Sequence, residues 1–234
     1  MHKGIYIAIS GAVLKQNQLE MIAQNLANAN SIGYKREYIT FSDYLIKEIN
    51  NFSDDKIMTN IAKTYYDFSV GDFIKTGKPL DIAIEGNGFI ALEENLYTRR
   101  GDLKIDENGF LVNFKGYKVL GKKGFIEVGK NKIPQISQDG KIIVDGNVLD
   151  EIKIVDFDRY EVLTKKDSGI FFSKETGKES KANVLAGFLE TSNVSPVNEM
   201  ISMIEALRDF ESYQKAVQIF DESINKIVND IARL

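Results

Sequence analysis

The chain has 234 residues, enough for one large domain or two small ones, and 43% of them are hydrophobic, which suffices to build a core. Its formal net charge of -4 comes from 30 basic and 34 acidic residues with no long basic block, which argues against nucleic acid as a partner. The absence of cysteine excludes disulfides, thiolate metal sites and cysteine nucleophiles. The one histidine, His2, lies beside the N-terminus, which argues against a zinc site and a Ser-His-Asp triad. No motif singles out a metal site, a cofactor or a catalytic residue, so we expect none of these and expect a protein that is not an enzyme.

The first segment, 1–33, predicts an amphipathic helix. Its apolar positions recur at alternating steps of four and three, the spacing of a coiled-coil seam, and only Gln16 interrupts them. Flanking apolar residues at Ala8, Val13, Ile22 and Ala27 widen the predicted buried face, which implies more than one neighbour. The seam residues are Ile5, Ile9, Ala12, Leu19, Ala23 and Leu26.

The apolar start of this helix could pass for a secretory signal. No cleavage site follows it, however, and the helical spacing continues past Lys15. No stretch of the chain reaches the roughly 18 apolar residues that a membrane span needs. We therefore expect a soluble protein without membrane insertion, and any export must leave the N-terminus intact.

The last segment, 191–234, predicts a longer helix that begins at Pro196, after a capping residue, Ser195. A second apolar stripe near its start is expected to widen the buried face; it comprises Val197, Met200, Ile201, Ile204 and Leu207. The main seam comprises Met203, Ala206, Phe210, Tyr213, Val217, Phe220, Ile224, Ile227, Ile231 and Leu234. The predicted C-terminal helix is longer than the N-terminal one, so the N-terminal helix cannot cover its whole apolar seam. We expect other chains to cover the apolar residues that are left over. The alternative is a two-helix hairpin that packs within its own chain.

Between the helices, the segment 81–190 predicts a β-rich domain, because β-branched and aromatic runs alternate with glycines. Asn87-Gly88 and Asn108-Gly109 predict hairpin turns, and further turns are expected at 115–116, 139–140 and 145–146. Strands are expected at 81–85, 88–92, 109–113, 117–120, 124–128, 141–144, 147–155 and 170–173. The connecting segment 34–80 is ambiguous, with one or two helical turns expected within 41–49. The fold class is therefore α+β, with the terminal helices forming a coiled-coil-like stem and an antiparallel, hairpin-built middle.

Two functions of other classes are compatible with parts of the sequence. A β-rich hydrolase would need a pair of carboxylates in a cleft, although no pair is singled out by its spacing. A coiled-coil adhesion module could present the tripeptide Arg100-Gly101-Asp102, although a match of three residues often arises by chance.

The stretch NLANANSIGYKR, residues 25–36, has the features of a helix end, with Gly33 placed for a left-handed turn and basic residues after it. The same stretch resembles the N-terminal signature of flagellar rod and hook proteins. TGKPLDIAIEGNGFIAL at 76–92, YTRRGDLKIDENGFLV at 97–112 and residues 188–227 resemble the middle and the C-terminal helix of that family. Ser31-Ile32 stands where the family commonly has Thr-Pro. The signature residues are Asn25, Leu26, Ala27, Asn28, Gly33 and Tyr34.

This resemblance implies a structural subunit of the flagellar basal-body rod, most similar to the proximal-rod subunit that adjoins the distal rod. The alternatives within the family are the distal-rod protein, which is the close one, and a hook-type subunit. The resemblance further implies terminal helices in the inner wall of a tube that transmits torque, and export through the flagellar type III apparatus without a cleaved signal. The implied partners are other copies of the chain and neighbouring rod proteins, in the periplasmic part of the basal body.

Overall fold

The computed structural model describes residues 2–39, 64–130 and 132–231. It is an α+β structure with two long helices and an antiparallel, β-rich middle, as the sequence predicts. The described residues fall into two compact units. The helical unit takes its described residues from Met1–Ala27, Glu37–Tyr65 and Ser195–Leu234, and the β-rich unit from Asn28–Arg36 and Tyr66–Val194. No helix among the described residues is long and apolar enough to cross a membrane.

Both predicted helices are present. α1 spans His2–Ala27, and α2 spans Pro196–Ile231, beginning at the predicted proline. The two helices are antiparallel, since Lys15 Nζ lies 2.8 Å from an Asp209 carboxylate oxygen while Asn25, further along α1, lies 3.5 Å from Glu199, nearer the start of α2. Leu234 lies outside the described residues, as do the side chains of Ile227 and Ile231.

The surface of α1 that contacts α2 is offset by one residue from the predicted seam. Gly4 lies against the ring of Phe220 and Gly11 against that of Tyr213, and a β-carbon at either glycine would come within 2.8 or 2.5 Å of the ring. Ile9, which belongs to the predicted seam, is 36% exposed. Glycine at these two positions therefore allows aromatic side chains of α2 to approach the α1 backbone.

We expect Gly11→Leu to loosen the contact between α1 and α2, because the new side chain would occupy the space of the Tyr213 ring. The overpacking should cost about 1–3 kcal/mol, partly offset by the better helix propensity of leucine. Amide hydrogen exchange across α1 should accelerate. Asn17→Leu, at an exposed position of α1, is the matched control; equal exchange in the two variants would contradict the prediction.

The β-rich middle contains many short strands. Those before residue 115 are β1 (Glu37–Ile39), β2 (Thr64–Tyr66), β3 (Phe73–Lys75), β4 (Ile82–Glu85), β5 (Phe89–Leu92), β6 (Leu96–Thr98), β7 (Lys104–Ile105) and β8 (Leu111–Val112). Those that follow are β9 (Gln135–Ile136), β10 (Lys141–Val144), β11 (Asn147–Glu151), β12 (Ile154–Asp156), β13 (Thr164–Asp167), β14 (Ile170–Phe172), β15 (Lys178–Glu179), β16 (Asn183–Ala186) and β17 (Phe188–Glu190). Short 3-10 turns lie at Glu93–Asn95 and Tyr160–Val162.

The largest sheet has six strands in the order β13-β14-β6-β5-β12-β15, and all of its pairs are antiparallel. Smaller pairings join β4 to β16 and β3 to β17, and a three-stranded sheet has the order β11-β10-β9. The chain segment that leads into α2 thus runs through strands paired with the first part of the β-rich unit.

The six-stranded sheet buries both of its faces. Along β5, Ile90 and Leu92 belong to an aliphatic core cluster, whereas Phe89 and Ala91 belong to a second cluster that is rich in aromatic residues. The period-2 alternation of a strand assigns the neighbouring side chains to opposite faces. In the second cluster, aromatic rings meet mostly edge to face, for example Phe68 with Phe171 at 5.1 Å between centroids.

The predicted turns have mixed outcomes. Asn108-Gly109 joins the paired strands β7 and β8, and Asp145-Gly146 joins β10 and β11 with positive φ at both residues, so these hairpins are confirmed. The turns at 115–116 and 139–140 are confirmed by the bonds from Gly116 N–H to Asn113 and from Gly140 N–H to Ser137. The hairpin at Asn87-Gly88 is wrong, because β4 before it pairs with β16 whereas β5 after it pairs with β6 and β12.

The strand predictions are also mixed. Among the predicted strands, 117–120 and 124–128 contain only isolated bridges, such as Leu120 with Phe125. The predicted strand 147–155 is interrupted between β11 and β12. Conversely, β1–β3, β6, β7, β9, β13 and β15–β17 lie outside the predicted ranges; of these, β13 and β15–β17 have no neighbouring Asn-Gly turn, and β13 and β15 are rich in charged residues. The helical turns expected within 41–49 lie outside the described residues.

Candidate functional site

A stripe of exposed apolar residues runs along the first turns of α2; we call it the α2 stripe. Steps of three and four residues place its members on one side of the helix. Each is between 46% and 65% exposed in the single chain, so this stripe does not belong to the buried face of the chain as the sequence pattern suggested. The α2 stripe comprises Val197, Met200, Ile201, Ile204 and Leu207.

The opposite side of α2 faces α1. Ala206 is buried, and Tyr213 and Phe220 are half-buried against the glycines of α1. Directly after the stripe, the same side of α2 carries exposed Arg208 and Glu211, and Ile219, five turns after Ile201, is again apolar and 65% exposed. Two separate apolar surfaces on opposite sides of one helix indicate two separate packing partners.

The predicted interface residues are distributed unevenly between these surfaces. Ile9 and Ala23 on α1 are exposed, and their subunit-contact role stays a prediction. The half-buried members are Ile5, Ala12, Leu19, Leu26, Met203, Phe210, Tyr213, Val217, Phe220 and Ile224.

Asn25, from the sequence signature, acts as a polar connector within the helical unit. Its side-chain amide exchanges two hydrogen bonds with the backbone of Glu37, donating from Nδ2 to the carbonyl at 2.8 Å and accepting from the N–H at 3.0 Å. Nδ2 also lies 3.5 Å from the Glu199 carboxylate. Asn25 and Glu199 are each 1% exposed. The amide therefore substitutes for a strand partner of β1 in a place where an unpaired backbone group would be costly.

Gly33 and Tyr34, also from the signature, belong to the β-rich unit. Gly33 has a φ of +60°, the predicted left-handed conformation, and its N–H donates to the carbonyl of Glu190 at 2.8 Å. A β-carbon at Gly33 would lie 2.8 Å from backbone atoms of Arg100. Tyr34 is 2% exposed, and Lys165 Nζ lies 5.3 Å from the centre of its ring. Among the remaining signature residues, Leu26 and Asn28 are half-buried and Ala27 is exposed.

Next to this turn lie three buried charged residues, Lys35, Arg99 and Glu190, which we call the Glu190 cluster. One carboxylate oxygen of Glu190 accepts from Lys35 Nζ at 2.6 Å, and the other accepts from Arg99 Nε at 2.7 Å. All three side chains are at most 2% exposed. Burial lowers the pKa of the Lys35 ammonium, while the Glu190 carboxylate opposes that shift.

Arg99 has a further structural role. Its guanidinium donates to the carbonyl oxygens of Ile84, Gly86 and Gly88, each at 2.9 Å. These carbonyls surround the Asn87-Gly88 turn, where β4 and β5 diverge. Arg99 therefore satisfies backbone acceptors that the predicted hairpin would have paired.

Sequence reasoning did not find the Glu190 cluster. Lys35 follows a helix end, where a basic residue is expected for local reasons, and Arg99 lies at the end of a strand. Glu190 is 155 residues from Lys35, so no spacing pattern connects them.

The tripeptide considered as an adhesion ligand is internally paired. The Arg100 guanidinium binds the Asp102 carboxylate in bidentate fashion, at 2.6 and 2.8 Å, and its carbon lies 3.8 Å from the centre of the Phe114 ring. Arg100 and Asp102 side chains are 23% and 24% exposed. The two charges thus satisfy each other, which disfavours an adhesion role.

A surface cleft of about 290 Å³ contains several carboxylates, as a hydrolase would require. Lys122 Nζ spans this cleft, lying 2.8 Å from Glu151 and 2.7 Å from Glu179. The hydrogen bond from Lys122 lowers the pKa of Glu179, opposite to the shift that a general acid needs. The cleft is therefore poorly suited to carboxylate-pair hydrolysis.

Comparisons with known proteins agree with the signature. Three family models match: the flagella basal body rod protein over residues 5–35, the flagellar hook protein FlgE/F/G D1 domain over 83–149, and the flagellar basal body rod FlgEFG protein C-terminal region over 185–230. The flagellar basal-body rod protein FlgG of Bacillus subtilis is 34% identical, covering 98% of this chain and 99% of that protein. FlgG of Borreliella burgdorferi is 32% identical over the whole of both chains, and FlgF of Buchnera aphidicola is 29% identical over 95% of each.

These matches cover both the long helices and the β-rich unit, and they define the class of protein to which the chain belongs. The chain is a member of the flagellar basal-body rod protein family. Its relatives include both FlgF and FlgG proteins, so the proximal position in the rod stays a prediction.

Proposed function

We propose that this protein is a structural subunit of the bacterial flagellar basal-body rod, and that it polymerises through its terminal helices into the tubular shaft that transmits torque. Membership of the rod family supports this role, which requires no catalysis. The observation that carries the proposal is the α2 stripe. Its five large apolar side chains are about half exposed or more in the single chain, and burying them against neighbours would stabilise an assembly by about 25 cal/mol for each Å² removed from water.

The partners in this proposal are other copies of the chain and neighbouring rod proteins. On α1, Ile9 and Val13 are 36% and 50% exposed and add a second uncovered apolar surface. Contacts between copies through both helices would complete the coiled-coil-like stem, whereas the α1–α2 contact within each copy uses other faces. The predicted seam residues would contribute to these contacts between copies wherever their side chains are accessible to a neighbouring copy.

The proposed site of assembly is the periplasmic part of the basal body, reached through the flagellar type III export apparatus without a cleaved signal peptide. Terminal helices with uncovered apolar surfaces are compatible with such a route, because they gain their full packing only when neighbouring subunits are present. Among rod positions, the proximal one adjoining the distal rod is the one we propose, with the distal rod as the alternative.

The proposal predicts that Ile201→Asp together with Ile204→Asp will prevent polymerisation, because each aspartate would place a charge in a desolvated contact. Cells that carry this double variant in place of the wild-type chain should be non-motile. The purified variant should keep its helix content, since both side chains are more than half exposed in the single chain. Phe220 is less suitable for this test, because it also contacts Gly4 within the chain.

The matched control is Gln214→Asp with Gln218→Asp, which adds the same charges at exposed polar positions of α2. Control cells should stay motile. Motile cells with the Ile201→Asp/Ile204→Asp chain, or an equal loss of motility in both variants, would contradict the proposed role of the α2 stripe.

A further inference from the structure

The Glu190 cluster joins two parts of the chain that lie far apart in sequence. Lys35 is in the segment 28–36, which follows α1, and Glu190 ends β17, which precedes α2. Their side chains meet at 2.6 Å across 155 residues of sequence. The segment 28–36 therefore acquires a principal contact only after the chain has folded as far as β17.

The partners of the two cations are unequal. Arg99 donates to three backbone carbonyls besides Glu190 and keeps these acceptors if Glu190 is changed. Lys35 donates to Glu190 and to the carbonyl of Ser69. Removing the Glu190 carboxylate would leave the Lys35 ammonium fully buried beside a second cation. An uncompensated buried charge of this kind strongly destabilises a folded protein.

Backbone hydrogen bonds hold the same segment close to Glu190. The N–H of Gly33 donates to the Glu190 carbonyl, that of Arg36 donates to Asn193 Oδ1, and that of Asp67 donates to the Arg36 carbonyl, each at 2.8 Å. These three amides lie in the β-rich unit and report directly on whether the segment 28–36 is docked.

We propose that the pairing of Lys35 with Glu190 makes docking of the segment 28–36 conditional on β17. The N-terminal segment docks when the carboxylate of Glu190 is in place to neutralise Lys35, and it stays undocked in a chain whose C-terminal strand has not folded. The segment 28–36 thus docks only after the last strand of the β-rich unit, β17, has folded. This inference concerns folding within one chain and does not depend on polymerisation.

The test is amide hydrogen exchange on the full-length chain, comparing Gly33, Arg36 and Asp67 with the amides of β5 and β6. In Glu190→Gln, the three reporter amides should exchange roughly tenfold faster or more, relative to the reference strands. The double variant Lys35→Met/Glu190→Gln should recover most of the protection. Its cluster returns to the wild-type net charge of +1, from one arginine, whereas Glu190→Gln alone leaves +2.

A second comparison applies if Glu190→Gln does not fold. Adding Glu190→Gln to a Lys35→Met chain should change the exchange rates of the reporter amides by less than roughly threefold, since no buried ammonium then depends on the carboxylate. The proposal is overturned if the reporter amides exchange as fast in the double variant as in Glu190→Gln. It is also overturned if, in the second comparison, the reporter amides lose much of their protection. Equal acceleration in the reporter amides and in β5 and β6 would also overturn it, because the carboxylate would then stabilise the whole unit without acting on the segment.

Discussion

Arg99→Met is expected to lower the free energy of unfolding of the β-rich unit by about 3–5 kcal/mol, the range found when one partner of a buried ion pair is removed. The Arg99 guanidinium holds Glu190 and the three carbonyl oxygens between Ile84 and Gly88. Methionine fills part of the volume but donates no hydrogen bond. It therefore leaves the buried carboxylate without its arginine partner, with only Lys35 and the Gly71 N–H still donating to Oε1, and it removes the Arg99 donors from the three carbonyls.

Thermal or denaturant unfolding of the purified chain measures this loss. Arg159→Met makes the same substitution at an exposed position of the same unit, where surface changes usually stay within about 0.5 kcal/mol. If the midpoints of the two variants coincide, the hydrogen bonds of Arg99 to Glu190 and to the three carbonyls contribute little to stability, and the prediction fails.

Gly33→Ala is expected to lower the free energy of unfolding by more than the left-handed backbone conformation of residue 33 alone explains. Alanine in the left-handed region costs about 1–2 kcal/mol. At Gly33, where φ is +60°, the added methyl group would also lie 2.8 Å from backbone atoms of Arg100, which cannot rotate away as a side chain would. Relief of this clash would move the turn away from the Glu190 carbonyl and weaken the hydrogen bond that it accepts from Gly33 N–H.

Gly77→Ala separates the two contributions. Gly77 has a similar φ of +70°, but a β-carbon there would meet nothing within 4 Å. Unfolding experiments should show a clearly larger loss for Gly33→Ala than for Gly77→Ala. Equal losses would mean that the cost at Gly33 is conformational only and that the approach to Arg100 relaxes freely.

The helices show how far periodicity alone can predict a fold. The spacing of apolar residues correctly predicted both α1 and α2, and Pro196 marked the first residue of α2. Periodicity did not identify the face of α1 that contacts α2, because Gly4 and Gly11 have no side chain to mark a seam. Their importance comes from the rings of Phe220 and Tyr213, which lie on another segment of the chain.

The β-rich unit shows the same division between local and long-range information. Asp145-Gly146 predicts a hairpin correctly because the turn chemistry and the paired strands are adjacent in sequence. Asn87-Gly88 has the same local signal, yet the strands around it diverge toward β16 and toward β6 and β12. In this case distant strands compete successfully with the local hairpin, and Arg99 satisfies the carbonyls left unpaired.

Residue order alone was sufficient for features that depend on neighbours within a few positions: two amphipathic helices, four of the five predicted glycine turns, the left-handed turn at Gly33 and the signature that indicates the rod family. The folded chain was needed to establish which strands pair, which apolar stripe of α2 is left uncovered, and that Lys35 and Glu190 share one buried site. The reason is physical. Helix periodicity and turn conformation are local backbone properties, whereas burial and charge neutralisation depend on groups that folding brings together from distant parts of the chain.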